Sequence, residues 1–81
     1  MNKQEILQQA MVAREQEVLG YQINIDNYTL ALQEIAVLPP AERDELAQFK
    51  DQLTGLLASE KLEQKKSKIM LAVIKRQLEV L

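Results

Sequence analysis

The side chains in this chain with the capacity for chemistry are carboxylates and lysines. Glu42 with Glu45 and Glu60 with Glu63 stand three residues apart, the spacing that brings side chains together on a helix, and Glu17 follows closely on Glu15. Such pairs could hold a divalent metal or divide general-acid and general-base roles. Carboxylate metal centres in helical bundles, however, combine inward-facing Glu from several helices with Glu-x-x-His, and there is no histidine here. Cysteine is absent as well, which removes Ser-His and Cys-His nucleophilic pairs and zinc ligation by imidazole or thiolate. The carboxylates therefore read as solvated helix charge with dipole and salt-bridge roles. The expectation is no catalytic residue, no metal and no cofactor, and a protein that is not an enzyme.

The second chemical feature is basic. Lys61, Lys65, Lys66, Lys68, Lys75 and Arg76 give residues 61–76 a net +5 once Glu63 is subtracted, against −2 for the whole chain. They are interleaved with the apolar run Ile69–Ile74, which makes a basic amphipathic segment suited to an anionic membrane surface or a partner helix. Phosphate binding would lack stacking aromatics, because Tyr21, Tyr28 and Phe49 are all assigned to packing seams. The overall acidic balance gives no general attraction to nucleic acid. The plainest expectation is a solvated face paired to Glu15 and Glu17. Binding of a protein partner comes second, and of nucleic acid or lipid third.

These residues need elements to hold them, and the composition specifies which. Ala, Glu, Lys, Leu and Arg make up about half of the 81 residues, the share that marks long helices and coiled coils. Leu38-Pro39-Pro40 is the one strong breaker. Proline disfavours helical dihedrals in the residue before it, whereas Pro40 suits a first helical turn, with Glu42, Asp44 and Glu45 near the positive end of the helix dipole. The spacing predicts an all-α, antiparallel two-helix hairpin forming a single domain over residues 1–81, with helices over about 3–38 and 41–80 and the turn at 39–40. The longest apolar run is far short of the roughly 20 residues that span a bilayer. No membrane insertion is expected, nor a signal peptide at the N-terminus, and a cytoplasmic location follows as an expectation.

The first helix carries a heptad seam at Leu7, Met11, Arg14, Val18, Tyr21, Ile25, Tyr28, Leu32 and Ile35, breached only by Arg14. In the second, Leu46, Phe49, Leu53, Leu56 and Leu57 form the first half of a seam and Leu71, Ile74, Leu78 and Leu81 the last part; between them Ser59 to Lys68 is almost wholly polar. Folding directly about the prolines would set that polar stretch against Met11 to Gly20. Arg14 would then reach Glu60 or Glu63, with Glu15 and Glu17 near Lys61, Lys65 and Lys66. Tyr21, Ile25 and Tyr28 would meet Leu53, Thr54, Gly55 and Ala58, large residues mostly against small ones.

More apolar surface is present than one fold-back covers. Val12, Leu19, Ile23, Leu30 and Val37 form a stripe about 160° from the first seam. At the open end, Ile69, Met70, Val73, Leu78, Val80 and Leu81 add a second surplus, with little chain expected opposite Leu78 to Leu81. These eleven residues are the predicted oligomer or partner interface. The expectation is a homo-oligomer, a dimer forming a four-helix bundle, that acts by binding another protein as a small adaptor, regulator or inhibitor. A structural subunit or assembly chaperone is a rival reading, and nucleic-acid or anionic-membrane binding through residues 61–76 is another.

Overall fold

The computed structural model describes residues 1–81. A long helix α1, Lys3–Ala36, runs into the turn; a six-residue helix α2, Pro40–Glu45, restarts the chain; and a second long helix α3, Ala47–Glu79, returns antiparallel along α1. There are no strands, so the architecture is an all-α helical hairpin. Asn2 caps α1 reciprocally: its side-chain oxygen accepts from the Glu5 amide at 2.9 Å while its Nδ2 lies 3.4 Å from the Glu5 carboxylate.

The turn follows from proline geometry. Pro39 has polyproline-like dihedrals (φ −57°, ψ 150°), Pro40 opens α2 where no amide is needed, and the Arg43 amide donates to the Pro39 carbonyl at 3.0 Å. α1 ends two residues earlier than the prolines alone suggest, and the return path is interrupted once, at Leu46 (φ −100°, ψ 9°). The Leu46 amide is shared between the carbonyls of Glu42 and Arg43, both at 3.2 Å, and the Lys50 amide picks up the Leu46 carbonyl at 2.8 Å, so the single break leaves helical hydrogen bonding nearly continuous.

Packing is confined to one seam between α1 and α3. Every seam position read from α1 is buried or half-buried, with Ile25 and Ile35 the deepest. On α3 the covered positions Leu53, Leu57, Glu60, Gln64, Ser67, Leu71, Ile74 and Leu78 alternate in steps of four and three without interruption, with Glu63 half-buried beside them. This corrects the sequence expectation. The heptad persists through the polar stretch with Glu60, Gln64 and Ser67 in it, and Phe49 and Leu56 fall one position aside, exposed on the flank.

The molecule measures 60 × 16 × 14 Å with a radius of gyration of 18.3 Å. A globular chain of this length would have about 12 Å. Two helices side by side leave each with one covered face, and only six of 81 residues are buried.

Candidate interaction surface

The middle of the hairpin is held by polar contacts where the sequence predicts charge pairing. Gln64, 7% exposed, directs its Nε2 to the Val18 carbonyl at 3.1 Å and to Oε1 of Gln22 at 2.9 Å. Ser67, 4% exposed, donates its hydroxyl to the Glu17 carboxylate at 3.0 Å, and Asn24 Nδ2 approaches the Glu60 carboxylate at 3.3 Å. No buried side-chain polar atom is left without a partner. These three residues of α3 carry no apolar signal, but counting heptads forward from Leu53 and Leu57, or back from Leu71 and Ile74, lands on all of them.

The same contacts correct the expected register. Glu17 lies against Ser67 and Asn24 against Glu60, so the polar stretch of α3 faces Glu17 to Asn24, not Met11 to Gly20. The expected ion pairs between the helices do not form. Arg14 pairs with Glu17 on its own helix at 2.9 Å, and Lys66 pairs with Glu63 at 3.0 Å. Gly55 is exposed, with open space where a Cβ would stand, so it is not a small partner for the seam tyrosines.

Glu17 is the one group whose titration is clearly displaced. The Ser67 hydroxyl, then the Arg14 guanidinium, hold its carboxyl below the ordinary value of 4.5; slight desolvation opposes them. No three acidic side chains converge as a metal-holding group. The concavity at the closed end, about 390 Å³, lies open between Ile35, Pro40 and Ala47 and is otherwise lined largely by charged side chains.

The apolar surplus lies on the outer faces. Val12, Leu19, Ile23, Leu30 and Val37 are all exposed, Leu19 at 61% and Leu30 at 58%, on the side of α1 turned away from α3. The two apolar stripes of α1 nearly cancel, so this helix has little net amphipathic direction. On α3, Ile69 (64% exposed) and Val73 are open, with Leu62 extending the same outer face and Met70 exposed toward the flank; Val80 and Leu81 are open beyond the helix end. Leu78 is a correction: it is half-buried within the seam, because the true register brings the start of α1 alongside it.

All six basic residues, Lys61, Lys65, Lys66, Lys68, Lys75 and Arg76, are exposed, and only Lys66 is in an ion pair. Lys61, Lys68 and Lys75 recur every seven residues, one column beside the apolar outer face of α3. Glu15, expected to neutralise this face, makes no ion pair. No helix is long and apolar enough to cross a membrane. Compared with protein-family models, curated protein sequences and solved structures, the chain finds no match.

Proposed function

We propose that the chain is a non-enzymatic, cytoplasmic protein–protein interaction module, a helical hairpin that self-associates and acts as a small adaptor, regulator or inhibitor of a larger protein complex. The observation that carries this reading is the outer stripe of α1, five large aliphatics open to solvent at regular helical spacing. Scattered apolar exposure is ordinary on protein surfaces, whereas a contiguous stripe marks a contact.

The surface area supports the same reading. The chain exposes 6022 Å², whereas a compact monomer of 9.3 kDa exposes about 5000 Å². The excess, about 1000 Å², is comparable to the roughly 800 Å² that each partner contributes to a standard specific interface. Recognition is then helix packing: aliphatic side chains supply affinity, and flanking charge sets orientation and excludes wrong partners.

Light scattering at micromolar concentration tests the self-association. A mass at least twice 9.3 kDa is the expected result, and a solitary 9.3 kDa species with both outer faces bare overturns it. A second reading is favoured by the five unpaired basic residues beside the apolar face of α3, which suit an anionic membrane or nucleic acid. It predicts affinity falling steeply with salt, whereas a mainly apolar protein contact holds.

A further inference from the structure

Resting on that self-associating reading, we infer that the outer face of α1 docks against the same face of a second copy, antiparallel, about a two-fold axis passing beside the peptide between Asn24 and Ile25. The face is self-complementary along its length. Taking the outward heptad positions in order, Val12 and Val37 are equidistant from that peptide, as are Gln16 and Gln33, Leu19 and Leu30, and Ile23 and Asp26. Three of these four pairs are identical residues. They alternate in steps of four and three, which is the layer pattern of an antiparallel coiled coil in which each position of one kind faces one of the other. A two-fold interface requires that residue i meet j while j meets i, and this order of residue types satisfies it.

The surroundings agree. Every residue in these pairs is exposed, and Val37, the cap residue after α1, keeps near-helical dihedrals (φ −94°, ψ 0°), so the stripe continues to it in register. Beside the core layers the same register sets Glu15 next to Ala36 of the copy and Glu34 next to Ala13, so the two flanking carboxylates do not meet like charge. Asp26 is the one charged residue of the seam, and the two-fold axis brings one from each copy into the adjacent central layers; within its own helix it accepts from Gln22 Nε2 at 2.9 Å. With Gln16 and Gln33 it makes three polar positions among the eight of the seam, and polar residues at such positions fix register at some cost in stability. The area that the hairpin leaves uncovered is sufficient for this contact.

The geometry has a consequence for shape. The docking face lies opposite the α1–α3 seam, whereas a square bundle needs two faces about a right angle apart. The four helices therefore form a row, α3·α1 against α1·α3 of the copy. Neighbouring axes about 8–10 Å apart put the two α3 axes about 25–30 Å from each other. Both basic, apolar outer faces of α3 remain free, at opposite edges of the dimer, which makes it a bivalent linker for two identical partners.

The chain has no cysteine, so cross-linking tests the register directly. Gln16→Cys and Gln33→Cys are made separately, which leaves the aliphatic stripe intact, and each is treated with a short thiol-to-thiol reagent alone and after mixing. The mixture is expected to yield a species of twice the chain mass, and either variant alone almost none. In the proposed register the thiols of two Gln16→Cys chains stand 17 residues, about 25 Å, apart along the helix, beyond the reach of a short reagent. Efficient linking of each variant to itself indicates a parallel pairing and overturns the inference. A wild-type dimer with no linking in the mixture overturns it too, and places the contact on α3 or on the Phe49–Leu56 flank. A solitary 9.3 kDa wild-type species removes the self-association reading itself.

Discussion

The side-chain amide of Gln64 lies 3.1 Å from the Val18 carbonyl on the opposite helix and 2.9 Å from Gln22 Oε1, buried in a seam position that a heptad reserves for an apolar residue. A polar group in such a place lowers stability relative to a well-packed aliphatic and fixes register, because a slipped pairing would leave the amide without acceptors. Gln64→Ala is expected to lower stability by about 1–3 kcal/mol, from lost packing and lost hydrogen bonds together. Gln64→Leu is expected to raise the midpoint of thermal unfolding while broadening the transition, as alternative registers become accessible. Calorimetry on the three proteins checks both. A sharp, lower-melting Gln64→Leu protein would show that the amide contributes stability and not specificity.

Glu17 makes stability depend on pH in a defined direction. Its carboxyl titrates below the ordinary value of 4.5 in the folded chain because the Ser67 hydroxyl, then Arg14, favour its ionised form. A lowered folded-state value means that the unfolded chain binds the proton more readily. The contribution is therefore complete above the ordinary carboxylate range and is lost as pH falls through the folded value. Melting temperature should decline on acidification below about pH 4.5, and Ser67→Ala should shrink that decline more than Arg14→Gln does. Thermal melts across about pH 2–7 measure it, following stability from well above the ordinary carboxylate range down through its acid side. Equal acid sensitivity in wild type and Ser67→Ala would contradict the assignment.

Helix existence, the turn and the α1 seam are legible in the sequence because each rests on one strong local cause: proline dihedrals for the turn, and aliphatics at steps of four and three for the seam. The seam of α3 is less legible because Glu60, Gln64 and Ser67 occupy it, and a pattern built on hydrophobicity follows Phe49 and Leu56 to the flank instead. The break at Leu46 has no glycine or proline to announce it; its dihedrals are open to any residue. Cross-helix register depends on where α2 sets the start of α3, which no local pattern encodes, and so the ion pairs predicted for Glu15, Glu17 and the lysines do not form. The outer stripe of α1 is untouched by these errors, since its position relative to the α1 seam is set within a single helix.

Gly55 offers a test of helix propensity free of packing. It lies within α3, exposed, and a Cβ built on it meets nothing within 4 Å. Gly55→Ala is expected to stabilise by about 0.5–1 kcal/mol, chiefly by restricting the unfolded chain. For a domain of this size that raises the melting temperature by about 2–8 °C. A lower melting temperature would mean that the α3 backbone at this point is approached by something beyond the hairpin, such as a second copy seated on that side.

The strongest expectation concerns the outer stripe. Ile23 and Leu30 are exposed in the hairpin, so charges there cost the isolated fold little. In an assembly built on that face each loses its apolar burial, about 1.5–3 kcal/mol per side chain, and introduces an unpaired carboxylate near Asp26. Ile23→Asp with Leu30→Asp should raise the dissociation constant by at least about a hundredfold, using the lower bound for both side chains. Light scattering should then report a 9.3 kDa species at micromolar concentration, with circular dichroism still helical. Leu56→Asp with Met70→Asp, also exposed but on the flank of α3, should leave the mass unchanged. If the two double variants exchange behaviours, the contact runs along the side of the hairpin and its helices pack as a square bundle, not a row; if both lose mass, the assembly draws on α1 and α3 together.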